Sequence, residues 1–299
     1  MEGIAAERAI PAGVKARPYL FDVFEGLKEN RLAVVGLAIV LSLVLVAIFA
    51  PFIAPHDPIE QHPDLRLLSP SWQYPLGTDD LGRCILSRLV YGTCVSLQVG
   101  VVVVGITALL GTSLGLLAGY LGGIADEVIM RVVDVVLAFP GLILALVIAG
   151  LLGPGLFNVM LALSIVGWTS YARVVRGCVL SAKERGFVEA AQALGSSNVH
   201  IMFRHVLPEA LSPVIVMATL GMGGTILSAA ALSFLGLGVQ PPMPEWGSML
   251  NNGRAFLRVA PHLTTFPGLA IMVTVMAFNF LGDGLRDALD PRQKKRVEI

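Results

Sequence analysis

Residue types able to do chemistry are few in this chain and widely scattered. The five histidines fall at His56, His62, His200, His205 and His262, and the three cysteines at Cys84, Cys94 and Cys178. His56 and His62 are close enough in sequence to touch a metal ion jointly, although loop histidines are more often simply solvated. No GxxxxGK[ST] phosphate loop occurs, and the glycine-rich run from Gly111 to Gly123 has no lysine. HExxH is missing, and Gly111-Thr112-Ser113-Leu114-Gly115, which fits GxSxG, lies inside a long charge-free run and not at a strand-to-helix elbow, so neither zinc-protease nor α/β-hydrolase chemistry is indicated. What remains is a polar stretch, FVEAAQALGSSNVHIMFRHVLPEA, from Phe187 to Ala210. Glu189-Ala190-Ala191 gives one carboxylate beside two small side chains. Gly195 permits a sharp turn, Ser197 can cap a second helix, and Leu207-Pro208 closes the stretch. Glu189 offers its carboxylate to a helix cap or a charged partner. Small residues around it permit close approach by another protein, so the chemistry is that of docking; the bland alternative is a solvated amphipathic loop.

The elements that must position this stretch are apolar. The chain is 55% hydrophobic and 14% charged, with mean hydropathy +0.77, far from the balance of a soluble domain. Charge-free runs extend over Leu32–Pro55, Leu89–Ala125, Val135–Ala172, Ala210–Pro244 and Val259–Gly282. A crossing needs about 20 apolar residues, and Gly153-Pro154-Gly155 divides the third run. These runs predict an all-α polytopic bundle of six spans near 32–53, 95–118, 130–152, 157–178, 212–235 and 264–283. The first is too long for a signal-peptide core and lacks a cleavage site, so it reads as an uncleaved span. The expected organisation is a tail at 1–31, first span and external loop at 32–94, a core at 95–283 containing segment 187–210, and a tail at 284–299.

With the N-terminus inside, sixteen Lys and Arg fall in cytoplasmic segments against five outside, which places both termini in the cytoplasm. Phe187–Ala210 then lies on the inner face as a bent helix pair, one helix over Lys183–Leu194 and a second ending before Pro208. Asp134 is the clear ionisable residue within a span. It is three residues from Arg131 and shares a helix face with it, which favours an ion pair near the interface over a proton relay. This scarcity of buried charge weighs against an ion-coupled secondary transporter, and no filter pattern or charged ring suggests a channel.

On the outer side, Trp72 and Tyr74 are expected to anchor the loop at headgroup level. Trp246 has the same expectation, with lining of a substrate entrance as the alternative. Gly221 to Gly224, with Met217 and Met222, suggest close helix packing. Asp283, Arg286, Asp287 and Asp290 cap the last span, and Arg292 to Arg296 form a basic end that attracts anionic lipid by about 1 kcal/mol per residue. Tyr19 to Leu27 reads as a short surface helix.

Glu189-Ala190-Ala191, three further residues, Gly195 and then Leu207-Pro208 resemble the EAA coupling motif of ABC importer permeases. His205 stands where that signature usually has an aliphatic residue. PLGTDDLGRCILSRLVYGTCVSL, MRVVDVVLAFPG, LSFLGLGVQPPMPEWGSML and FNFLGDGLRDALDP (Pro75–Leu97, Met130–Gly141, Leu232–Leu250 and Phe278–Pro291) are similar to the dipeptide, oligopeptide and nickel branch. The resemblance implies a type I importer fold and a coupling role for Glu189, Ala190, Ala191, Gly195, Leu207 and Pro208. It also implies a second related permease subunit, an extracytoplasmic binding protein, and two separate ATP-binding subunits that hold the ATP and Mg. No cofactor is expected on this chain itself. Di- or oligopeptide is the expected cargo, with nickel or a metal chelate as the alternative. Cys84 and Cys94 replace the Asp and Arg of the resembled GRDxxSRxxxGxRxSL pattern. Ten residues of unbroken helix separate two sites by about 15 Å, against roughly 4.4–6.8 Å in a disulfide. A bond therefore requires the chain to turn back at Gly92; otherwise both remain free thiols, as Cys178 does.

Overall fold

The computed structural model describes residues 25–289. The Tyr19–Leu27 surface helix and the basic end at Arg292–Arg296 therefore lie mostly or wholly outside the described residues, as does Asp290. Within them the chain is helical, without a named strand. Helix α1 spans Arg31–Ile48, its first turn capped by Asn30, whose Oδ1 accepts from the amides of Leu32 and Ala33. Helix α2 is a 37-residue element, Ile85–Leu121, stopped by Gly122 at φ 66°. Helices α3 (Gly123–Leu137) and α4 (Gly141–Leu152) follow, then α5 (Leu156–Lys183). Beyond α5 come the short α6 (Gly186–Ala193) and α7 (Asn198–Ile201), a π turn over Met202–Val206, and the long α8 (Leu207–Phe234). Helices α9 (Trp246–Gly253) and α10 (His262–Leu289) complete the bundle.

Helix α2 packs on α5 along one glycine row. A Cβ at Gly111 would come 2.4 Å from the Trp168 carbonyl oxygen, and one at Gly115 would come 2.4 Å from that of Ala172. With Gly119 against Val179 they form a small-residue seam, the device by which helices approach closely in lipid.

By length and apolarity four helical runs can cross a membrane: Arg31–Ile48, Ile85–Leu121, Asn198–Phe234 and His262–Leu289. Helices α3 and α4 make up to a fifth as one broken span, bent by 89°. The span expected at 130–152 is thus broken by a corner. Pro140 has no amide hydrogen to continue the ladder and pushes the preceding residue out of helical backbone. The fourth expected span falls within α5, which carries Arg173, Arg176 and Lys183 and is too polar to be counted on composition alone, so six crossings are not reached by this measure.

Asp134 is not paired with Arg131. Its Oδ1 accepts from Arg173 Nη2 at 2.6 Å, and Asp126, nearer the start of the same helix, takes Arg176 of α5. Helix α3 turns this face toward α5, so the interhelical cation wins over the one three residues away.

On the opposite side the chain between α1 and α2 is tied down by one carboxylate. Asp79 accepts from the amides of Leu81 and Arg83 and from Arg83 Nε at 2.7 Å, with Arg88 Nε at 3.5 Å. Arg88, only 3% exposed, donates to the Pro58 carbonyl at 2.9 Å. Trp246 is neither a headgroup anchor nor an entrance residue: it is 1% exposed and its Nε1 donates to the Leu89 carbonyl. Tyr74 is also buried, stacked on His56 with ring centres 4.6 Å apart, whereas Trp72 is fully exposed. Helix α2 runs unbroken through Gly92, whose missing side chain makes room for the indole, and no turn brings Cys84 to Cys94. All three cysteines are free; the Cys94 thiol donates to the Ala47 carbonyl instead.

Candidate functional site

The bend in segment 187–210 is built as the local residues require, with shifted borders. Lys183 belongs to α5, and its ammonium donates to the Tyr120 carbonyl at 2.9 Å, satisfying the exposed end of α2. A break at Glu184 and Arg185 follows, and α6 begins at Gly186. At its other end the Ser196 amide donates to the Ala191 carbonyl and the Gly195 amide to Gln192, the paired bonds of a Schellman cap. Gly195 stands at φ 81° with nothing within 4 Å of where a Cβ would sit. Its glycine identity therefore answers to backbone conformation rather than to space. Ser197 Oγ accepts from the His200 amide and starts α7.

The second helix does not end before Pro208. It continues from Asn198 to Phe234 through the π turn at Met202–Val206, where the Leu207 amide reaches the Met202 carbonyl. A proline ring collides with the carbonyl four residues back in an α-helix. A widened turn just ahead of Pro208 relieves that collision.

Of the residues expected to couple, Glu189 and Ala190 are exposed together on α6, while Ala191 and neighbouring Val188 point inward and are buried. Leu207 is partly buried against the same interior, and Pro208 is exposed in the first turn of α8. Gly195 lies at the bend between them. These positions thus divide between an exposed face and an inner packing face. The inner face is continuous: Val188, Ile201 and Val206 join Tyr120 of α2, Val175 and Val179 of α5 and Val214 of α8 in one buried cluster. Two polar ties add to it. Arg185 Nη1 donates to Glu209 Oε2 at 2.8 Å, linking both ends of the segment, and Tyr120 Oη donates to Asn198 Oδ1. The outer face carries exposed apolar side chains, Leu194 at 86%, Val199 at 63% and Phe203 at 54%.

Next to this cluster lies a feature that the sequence did not reveal, a cavity of about 550 Å³ between α2, α4, α5 and α8. Its polar lining consists of hydroxyls, from Thr107, Ser170, Tyr171, Thr225 and Ser228, and none of its lining residues is charged. Met217 and the Gly221–Gly224 stretch are split by it. Met217, Gly221 and Gly224 face the cavity, whereas Gly223 packs against the α10 backbone at Val275 and Met222 fills the notch at Gly100. No periodicity marks the lining, because a charge-free wall has the composition of a lipid-facing one. Tyr171 belongs both to the cavity wall and to the buried cluster beneath residues 187–210. Among the described residues no group of three or more His, Cys, Asp or Glu converges to hold a metal. His56 stacks on Tyr74 while His62 faces Glu60.

Beyond the C-terminal end of α8, Glu245 caps α9. Its carboxylate accepts from the amides of Gly247 and Ser248, each at 2.8 Å. Burial pushes this carboxyl above its ordinary range, against the pull of those hydrogen bonds and of Ser233.

Residues 111–295 match the family model of the binding-protein-dependent transport system inner membrane component, and residues 19–70 match the N-terminal TM domain of oligopeptide transport permease C. The chain is 50% identical over 273 residues to a dipeptide transport system permease protein of Alkalihalophilus pseudofirmus, covering 91% of this chain and 90% of that protein. Identity to the dipeptide transport system permease protein of Haemophilus influenzae is 45%, covering 90% and 93%. A glutathione transport system permease protein of Pectobacterium atrosepticum is 47% identical, covering 89% of each. Among solved structures, an amino acid ABC transporter with histidines matches at TM-score 0.53 and 18% identity, covering 67% of this chain and 92% of that one. That likeness is one of fold.

Proposed function

This chain belongs to the family of binding-protein-dependent transport system inner membrane components, in the peptide branch of the ABC permeases, and from that premise we propose that it forms part of a translocation pathway for di- or oligopeptides. The observation that carries the substrate class is the 45–50% identity over about nine-tenths of the chain to dipeptide permeases. The chemistry of the cavity supports it. A wall of hydroxyls and apolar groups without charge lets backbone amides and varied side chains pass and clamps neither peptide terminus. Selectivity then resides in an extracytoplasmic binding protein that hands the peptide over.

In this reading a second, related permease subunit closes the open side of the cavity. Two ATP-binding subunits, which hold the ATP and Mg, dock on the outer face of residues 187–210, with Glu189 and Ala190 at the contact. Both termini are cytoplasmic and there are six crossings, α5 supplying one. Its 28 residues extend about 42 Å, more than the roughly 30 Å of hydrocarbon, and Arg173 and Arg176 sit with their carboxylate partners toward the inner end. ATP-driven closure of the nucleotide-binding pair moves the docking segment. Because its inner face is packed into α2, α5 and α8, the segment carries those walls with it and reopens the cavity to the other side.

The test is reconstitution of the complex with its binding protein and measurement of labelled dipeptide uptake. Accumulation that requires both ATP and the binding protein is expected. Accumulation of a nickel chelate with no dipeptide uptake would overturn the peptide assignment.

A further inference from the structure

Two histidines of the docking segment have no part in the packing just described. His205 stands where the resembled motif usually has an aliphatic residue, and the interior there is filled by its neighbour Val206, fully buried. His200 lies five residues earlier and is exposed. In an α-helix, residues five apart point about 140° away from each other, so their rings would not meet. The π turn over Met202–Val206 changes this, since its wider turn aligns residues five apart. The imidazole centres come to 5.7 Å with their planes at 70°, and Phe187 lies against the outer side of His205 at 6.2 Å.

We propose that His200 and His205 form a two-imidazole site for a divalent transition metal of the zinc type on the outer face of the docking segment. A neutral imidazole offers one in-plane lone pair. An ion held at about 2.0–2.1 Å from one nitrogen of each ring brings the ring centres to about 5 Å, so the rings found edge-on at 5.7 Å must close by less than about 1 Å and turn until both lone pairs meet the ion. Two histidines one turn apart on a helix face are the pairing that zinc enzymes use. With no third His, Cys, Asp or Glu converging among the described residues, solvent completes the shell, and Glu209 is already engaged by Arg185. The bound ion would join α7 to the π turn and stiffen the segment; any effect on coupling rests on the docking role proposed above, whereas the binding does not.

The experiment titrates Zn²⁺ by calorimetry into the full chain, purified in detergent without a histidine tag, alongside His200→Gln, His205→Ala and the control His262→Gln. One Zn²⁺ per chain is expected, bound at least tenfold more weakly by His200→Gln and His205→Ala and unchanged in His262→Gln. Amide exchange over 198–206 should slow on addition of Zn²⁺ to the unmodified chain. His200 is exposed, so the glutamine there leaves the interior untouched, and circular dichroism verifies the fold. Absence of zinc binding, or His200→Gln binding like the parent chain, overturns the site and reduces the pair to an edge-on ring contact. Neither result depends on whether the chain moves peptides.

Discussion

The indole nitrogen of Trp246 donates a 3.1 Å hydrogen bond to the Leu89 carbonyl, joining residues 157 positions apart. The ring lies over Gly92, where a Cβ would approach its Cδ1 to 2.8 Å. This contact fastens α9 to the N-terminal end of α2 and explains why a glycine interrupts neither the helix nor its packing. It also satisfies the indole donor, which would be costly to bury alone.

Gly92→Val should therefore destabilise the chain by about 1–3 kcal/mol through overpacking against an indole that has nowhere to go. Thermal unfolding of the purified protein measures this. An unchanged midpoint would mean that the ring can move aside.

Gly195 behaves differently, because the space around it is open and only its φ of 81° constrains it. Gly195→Leu should strain the bend by about 1–2 kcal/mol and reduce substrate uptake more than binding-protein-stimulated ATP hydrolysis in the reconstituted complex. Gly195→Asn should retain more coupling, since asparagine tolerates the left-handed region. Full coupled uptake by the leucine variant would remove the bend from the mechanism.

Asp134 and Arg173 are 53–57% exposed in the isolated chain, so their ion pair contributes at most about 1 kcal/mol. Asp134→Asn should assemble normally and keep most transport. Loss of uptake in an intact complex would point to a proton-handling role instead.

Glu245 predicts a pH dependence of stability. Its folded carboxyl titrates above 4.5, the ordinary value, because burial favours the protonated form. The folded chain thus holds this proton at pH values where the unfolded chain has released it, and stability falls as pH rises above 4.5 through the folded value. Glu245→Gln should flatten that part of a melting-temperature profile while lowering it overall, since one capping acceptor becomes a donor. An unaltered slope would assign the dependence to another group.

What the sequence alone determined is local in origin. The charge-free runs required membrane helices, because hydrogen-bonded backbone within the segment is what lipid demands. Glu189 to Ser197 announced a helix, a left-handed glycine and a capped restart, since each depends on residues only a few positions apart. The absence of phosphate-loop and zinc-protease signatures limited the chemistry in the same way. Tertiary structure decided the rest. Asp134 chose Arg173 over Arg131, 39 positions away rather than three, because the face that α3 turns to α5 is set by packing. Trp246, polar-flanked and aromatic, read as a headgroup anchor until α2 supplied both a carbonyl and a glycine notch. The span expected at 130–152 is broken by a corner, and the helix expected to end before Pro208 continues past it after a π turn that also brings two histidines together. The cavity was invisible for a related reason. Hydropathy measures whether a side chain avoids water, and a charge-free wall facing a cavity satisfies that measure as well as one facing lipid; only the arrangement of four helices distinguishes them.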